Sequence, residues 1–163
     1  MKVQIYTLQS VSEAKKVASL GVDHVGITPA NIGLPGEITL EVGKDICTSL
    51  TETTTVAISV SNNIREIINM ALFVKPDILH LCGNPGSISV SDIENIKEKI
   101  IDSGIEIMYA ISVDNNQAIQ VAIDYSHVSD YLILDTSTEE VEGIGASGKT
   151  HDWNISRSIV ENV

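Results

Sequence analysis

Short apolar runs alternate with longer segments whose apolar positions recur every three or four residues, and the alternation starts at the first residues. The runs Val3 to Leu8, Asp23 to Thr28, Thr54 to Val60, Asp77 to Gly83, Glu106 to Val113 and Tyr131 to Thr136 predict six strands. Between them, helical spacing predicts helices over Val11 to Leu20, Leu40 to Leu50, Asn63 to Phe73, Val90 to Ile101 and Asn116 to Tyr125. Ser10 with Glu13 three residues on reads as a capping box, and Ile64, Ile67, Ile68, Ala71 and Leu72 form one apolar helix stripe. The loop "PANIGLPGE" after the second strand is too rich in Pro and Gly for regular structure.

Strands that are apolar on both faces and separated by helices imply a parallel sheet covered by helices, because parallel neighbours need crossover connections. The class is therefore α/β. A repeat of roughly 25 to 30 residues suits a (β/α)8 TIM-type barrel or a doubly wound sheet. No G-x-G-x-x-G follows the first strand, which weighs against the dinucleotide-binding version. About six βα units are visible, so the 163 residues are expected to form a single, partial barrel domain.

Composition narrows the partners. A net charge of −12 with scattered Lys and Arg argues against nucleic acid or an anionic membrane surface. Two cysteines, Cys47 and Cys82, and no leader-like segment suggest a reduced, cytoplasmic setting. No His, Cys, Asp and Glu cluster has metal-ligand spacing, and neither a metal nor a cofactor is expected.

One stretch raises a competing idea. Gly143 to Thr150, "GIGASGKT", matches the P-loop pattern G-x-x-x-x-G-K-[ST]. That pattern holds a triphosphate only between a buried strand and a long helix. Here Glu139, Glu140 and Glu142 stand just before it, and thirteen residues follow Thr150. A nucleotide site is therefore not expected, and a ligand-free Gly-rich connection stays open.

The runs "LILDT" and "GASGKTHDW" resemble the sixth strand and following loop of the phosphoribosylanthranilate isomerase family, barrel enzymes of tryptophan biosynthesis. The likeness reaches back through "VAISVSNNIREIINMALFVKPDILHLCG" and "GIEIMYAISV" to "VQIYTLQSVSEAKKVASLGVDHVGI". The resemblance implies an isomerase that converts an aminoaldose phosphate into an aminoketose by acid–base chemistry, with a small phosphorylated substrate. It places Asp135 as the general acid. Partial burial at a strand end would suit a carboxyl group that donates a proton, although an Asp there also begins loops.

Three departures stand out. Tyr6 occupies the place of the family's cysteine base, and a phenol is a poor base at neutral pH. Cys82 is a candidate substitute, with His80 on the same side of its strand as a candidate imidazolium partner and substrate contact; either could also simply pack. The family's Ser-Pro-Arg becomes "TPA", which puts anthranilate in question. The family's last two βα units have no counterpart, so the chain reads as part of a longer product, a barrel completed by another chain, or a reduced fold; the first is preferred. Open strand edges would favour self-association. On this reading Gly145 to Lys149 forms a mobile lid, with Gly145, Gly148 and Lys149 as substrate-binding residues. A related epimerase or lyase, and a paralogue that binds a phosphosugar without turnover, are the alternatives.

Overall fold

The computed structural model describes residues 1–138, 141–145 and 147–163. Six parallel strands form one sheet: β1 (Gln4–Ile5), β2 (His24–Ile27), β3 (Thr54–Ser59), β4 (Ile78–Leu81), β5 (Glu106–Ser112) and β6 (Tyr131–Asp135). Each pairs with its sequence neighbour, so the order is β1-β2-β3-β4-β5-β6. A doubly wound sheet reverses its order partway and places helices on both faces. With no reversal, right-handed crossovers put every helix on the same face, and the sheet curls as part of a barrel.

The crossover helices are α1 (Val11–Ala18), α2 (Leu40–Ser49), α3 (Ile64–Val74), α4 (Val90–Ile100) and α5 (Gln117–Ser126). Their starts follow from short polar side chains. Ser10, Thr39, Asn63 and Ser89 each accept a bond from a backbone N–H of the first turn. At Ser10 only half of the expected capping box forms, because Glu13 accepts from Gln9 N–H.

Alternation along the strands sorts the side chains into two cores. Leu79, Leu81, Ile107 and Ile111 face the helices and pack with Ile46, Ile67, Ile93 and Ile96. Val56, Ile78 and Met108 point to the other face, where Tyr6 and Ile133 join them. The first cluster is the larger, since it takes a stripe from every crossover helix.

A repeated device ties the strands in pairs at their N-terminal ends. Asp23, Asp77 and Asp130 each stand one residue before an even-numbered strand and accept a backbone N–H from the preceding odd strand or, at Val3, from the residue just before it. The donors are Val3, Thr55 and Ile107, each at 2.7 Å. Asp77 also accepts the Thr55 hydroxyl at 2.7 Å.

The strands are shorter than the apolar runs predict. β1 ends at Ile5, because Thr7 adopts a left-handed φ of 67° and turns the chain out of the sheet. β4 ends at Leu81, so Cys82 follows the strand. Beyond β6 lie elements that periodicity does not reveal: an antiparallel pair, β7 (Ser137–Thr138) and β8 (Val141–Ile144), then helix α6 (Trp153–Asn162), capped by Asp152 and packed on α5. No described helix is long and apolar enough to cross a membrane.

Candidate functional site

The P-loop pattern fails on geometry. Gly143 and Ile144 belong to the short strand β8, and the next helix starts at Trp153, beyond Lys149 and Thr150. The pattern therefore has no helix N-terminus at the residues that would need one. Of the residues weighed for it, Glu139, Glu140 and Ala146 lie outside the described residues, as does the Glu142 side chain.

What the segment does instead is settle on the C-terminal ends of β4 and β6. Ile144 N–H donates to the Cys82 carbonyl at 3.0 Å, and Gly145 N–H to the Thr136 carbonyl at 3.2 Å. Gly143 N–H donates to Asn84 Oδ1 at 3.2 Å. Contact is close enough to exclude side chains. A Cβ on Gly143 would stand 2.3 Å from the Cys82 carbonyl oxygen, and one on Gly145 would stand 2.7 Å from Asp135 Oδ2. Both glycines also have left-handed φ, 87° and 103°.

Beneath this cover, four of the predicted site residues meet. Asp135 is the last residue of β6, half-buried, with Oδ1 accepting Thr136 N–H at 2.8 Å. Tyr6 comes from just past β1, where its ring lies on Gly26; a Cβ there would be 2.2 Å from Tyr6 Cδ1. Tyr6 Oη lies 3.2 Å from His80 Nδ1, and His80 Nε2 is buried with no partner among the described residues. Cys82 follows β4, its thiol aimed at the Ser59 carbonyl at 3.6 Å.

The electrostatics are one-sided. Burial raises the Tyr6 phenol well above its usual value, and the nearby Cys82 and Asp135 add to the rise. Burial pushes the Cys82 thiol up to about 12, with Asp135 contributing. Burial alone lowers His80 to about 4. At neutral pH the phenol and thiol are protonated and the imidazole is neutral, because each charged form would be poorly solvated. A thiolate–imidazolium couple between Cys82 and His80 is thus disfavoured on both sides. His80 turns to Tyr6 rather than to Cys82.

The other predicted residues stand apart. Gly148 and Lys149 are exposed, and a Cβ on Gly148 would meet nothing within 4 Å. Sequence reasoning missed Asn84, Gly143 and His151. His151 joins the loop to α6 by bonds to Thr136 Oγ1 (3.1 Å) and Ser156 Oγ (2.7 Å). Gly26 carried a readable signal, since a glycine inside an apolar strand marks the close approach of another group. Among the described residues no group of three His, Cys, Asp or Glu side chains could hold a metal ion.

No protein-family model matches the chain. Six curated proteins do, all named N-(5'-phosphoribosyl)anthranilate isomerase. That of Haloferax volcanii is 24% identical over 99% of this chain and 69% of its own length. For two other archaeal relatives the aligned part is 44% and 42% of their length. Among solved structures, the phosphoribosylanthranilate isomerase of Thermus thermophilus superposes with a TM-score of 0.77 at 15% identity, covering 99% of this chain and 72% of that one. A phosphoribosylanthranilate isomerase in complex with reduced 1-(o-carboxyphenylamino)-1-deoxyribulose 5-phosphate gives a TM-score of 0.68 at 21% identity, over 84% of this chain and 66% of that one. These structural likenesses establish the fold, a (β/α)8 type with about six βα units present here. All six curated relatives carry that one name, at 22 to 30% identity, and the chain is similar in sequence and in fold to the phosphoribosylanthranilate isomerases.

Proposed function

We propose that the chain carries the acid–base half of a phosphoribosylanthranilate isomerase-like site, which isomerises a phosphorylated amino sugar from aldose to ketose. The observation that supports it most is the meeting of Tyr6 and Asp135. One follows the first strand and the other ends the sixth, yet the two stand near enough that Asp135, with Cys82, adds to the rise that burial gives the phenol. An isomerisation of this kind needs an acid and a base on opposite sides of one small substrate.

In this reading Asp135 donates a proton to the sugar ring oxygen and the ring opens. The C2 proton is then taken by the Tyr6 oxygen as the phenol's own proton passes to His80 Nδ1, and an enolamine forms. The Tyr6 hydroxyl then returns a proton to C1 while the enol O–H proton passes to the Asp135 carboxylate, which gives the ketose and restores the acid, and the phenol recovers its proton from His80. The route requires the His80 tautomer with its proton on Nε2. It places the proton transiently on His80, which burial lowers to about 4, in place of leaving a free phenolate or thiolate at Tyr6 or Cys82, whose values are raised. The glycine-rich segment Gly143 to Lys149 serves as the cover that excludes water, with Gly145 and Gly148 giving backbone access and Lys149 a cation for the phosphate. The ligand of the related solved structure, a reduced deoxyribulose 5-phosphate, supports a phosphosugar as ligand.

The test is loss of phosphoribosylanthranilate fluorescence on incubation with the protein. Turnover that falls by about 10² or more in Asp135→Asn, with the fold intact, supports the reading. No turnover by the folded protein with any aminoaldose phosphate tried rejects it.

A second reading is a paralogue that binds a phosphosugar without converting it. The raised values of both Tyr6 and Cys82 favour this, because neither is a ready base. Calorimetric binding of a 5-phosphate without turnover separates the two.

A further inference from the structure

Three hydrogen bonds dock the cover on the strand ends, and they differ in kind. Ile144 N–H and Gly145 N–H end on the backbone carbonyls of Cys82 and Thr136, which any sequence would supply. Gly143 N–H ends on a side chain, Asn84 Oδ1, 59 positions away. That third bond is the one the sequence can set. Packing beside it is incomplete, because Ile144 borders a cavity of about 270 Å³ together with Pro85 and Gly86, so hydrogen bonds carry more of the hold.

Asn84 is itself held from below. It opens a turn, Asn84 to Ser87, in which Ser87 N–H donates to the Asn84 carbonyl at 3.0 Å. Pro85 and Gly86 fill the two central places, and Gly86 has a φ of 72°, the pattern of a type II turn. Ser87 Oγ lies 2.6 Å from both the Asn84 carbonyl and Asn62 Oδ1, which fastens the turn to the segment after β3. Gly83 leaves room for that contact, since a Cβ there would stand 2.6 Å from Asn62 Oδ1. The Asn84 amide oxygen is therefore presented to the cover from a fixed base. Asn62, Ser87, Asn84 and Gly143 form one chain of contacts that ends on the cover, and the cover at Gly145 lies on Asp135.

We propose that Asn84 is a positioning residue of the site. It acts through Gly143, keeping the cover where Gly145 shields Asp135 from water. Gly143, Ile144 and Gly145 dock as one unit, so loss of the Asn84 bond loosens all three and not one amide. The kinetic part of this inference rests on the isomerase reading above; the part about the cover stands without it.

The experiment reads amide hydrogen exchange by NMR in the intact protein with no ligand added. In Asn84→Ala, exchange at Gly143, Ile144 and Gly145 is expected to rise together by about two- to tenfold, as for loss of one hydrogen bond, while the strands keep their protection. Asn84→Asp keeps an acceptor oxygen and is expected to restore protection at all three. A rise confined to Gly143, no rise, or no restoration by Asn84→Asp overturns the inference. Turnover of phosphoribosylanthranilate is then compared in Asn84→Ala, Gly145→Ala and the double variant. Both changes loosen one cover, so the double variant is expected to match the slower single variant within about twofold. Losses that multiply, or turnover unchanged in Asn84→Ala, overturn the positioning role. If the unaltered protein turns nothing over, the isomerase reading fails, and the exchange pattern alone decides whether Asn84 holds the cover.

Discussion

Gly145 lies against Asp135 so closely that a single methyl group would stand 2.7 Å from Oδ2. The contact explains why a loop between β8 and α6 carries a glycine at a left-handed φ of 103°. It also makes the cover over Asp135 sensitive to one atom. Gly145→Ala should lift the segment from Asp135, lower turnover, and cost about 1–2 kcal/mol in backbone strain. Kinetics together with thermal melting check both parts.

Tyr6 and His80 should respond as a unit. Tyr6→Phe removes the partner of His80 Nδ1, 3.2 Å away, and leaves both nitrogens of a buried ring unpaired. A loss of about 1–3 kcal/mol is expected, measurable by denaturant unfolding. On the proposed proton route through the phenol, turnover should fall more than the stability change explains.

The buried imidazole also sets a pH window. His80 titrates at about 4 in the folded chain and near 6.5 when unfolded, so between these values the unfolded state binds more protons. Stability should be flat with respect to this group above pH 6.5 and fall as pH drops toward 4, by about 3 kcal/mol in all. His80→Gln should flatten that part of the curve. Glu37, Asp23 and Asp92 have lowered values, so their contributions disappear only at still lower pH, as each is protonated. Melting curves across pH 4 to 7 for both proteins give the comparison.

Asp77 supports two buried donors, the backbone N–H and hydroxyl of Thr55. Asp77→Ala would leave both unpaired and should destabilise the protein by about 1–3 kcal/mol. Asp77→Asn, which keeps an acceptor oxygen, should cost less. Hydrogen exchange at Thr55 should speed up in the alanine variant first.

Glu37 draws together three N–H groups of one loop. In Glu37→Ala these amides should exchange faster while the strands keep their protection. Unchanged exchange at Ile32, Gly33 and Leu34 would mean that the loop holds its shape without the carboxylate.

Local physics made much of this molecule legible before any coordinates. Period-two and period-three-to-four spacing of Ile, Val and Leu is a property of neighbouring residues, so β3, β5, α3 and α4 were readable within a residue or two. The cap at Ser10 follows the same rule, since the bond it makes lies within one turn. Asp135 was legible too, as a carboxylate closing an apolar run and matching a family motif. Other features depend on residues far apart in the chain. The single-direction strand order, which separates a curled sheet from a doubly wound one, is a matter of which strands pair. The Tyr6–His80 bond spans 74 positions, and the docking of Gly143 on Asn84 spans 59. Burial, and with it the raised thiol of Cys82 and the neutral His80, is set by neighbours from every strand at once. Sequence determined which polar side chains stand at the strand ends; the curl of the sheet decided which of them meet and how deeply they are buried.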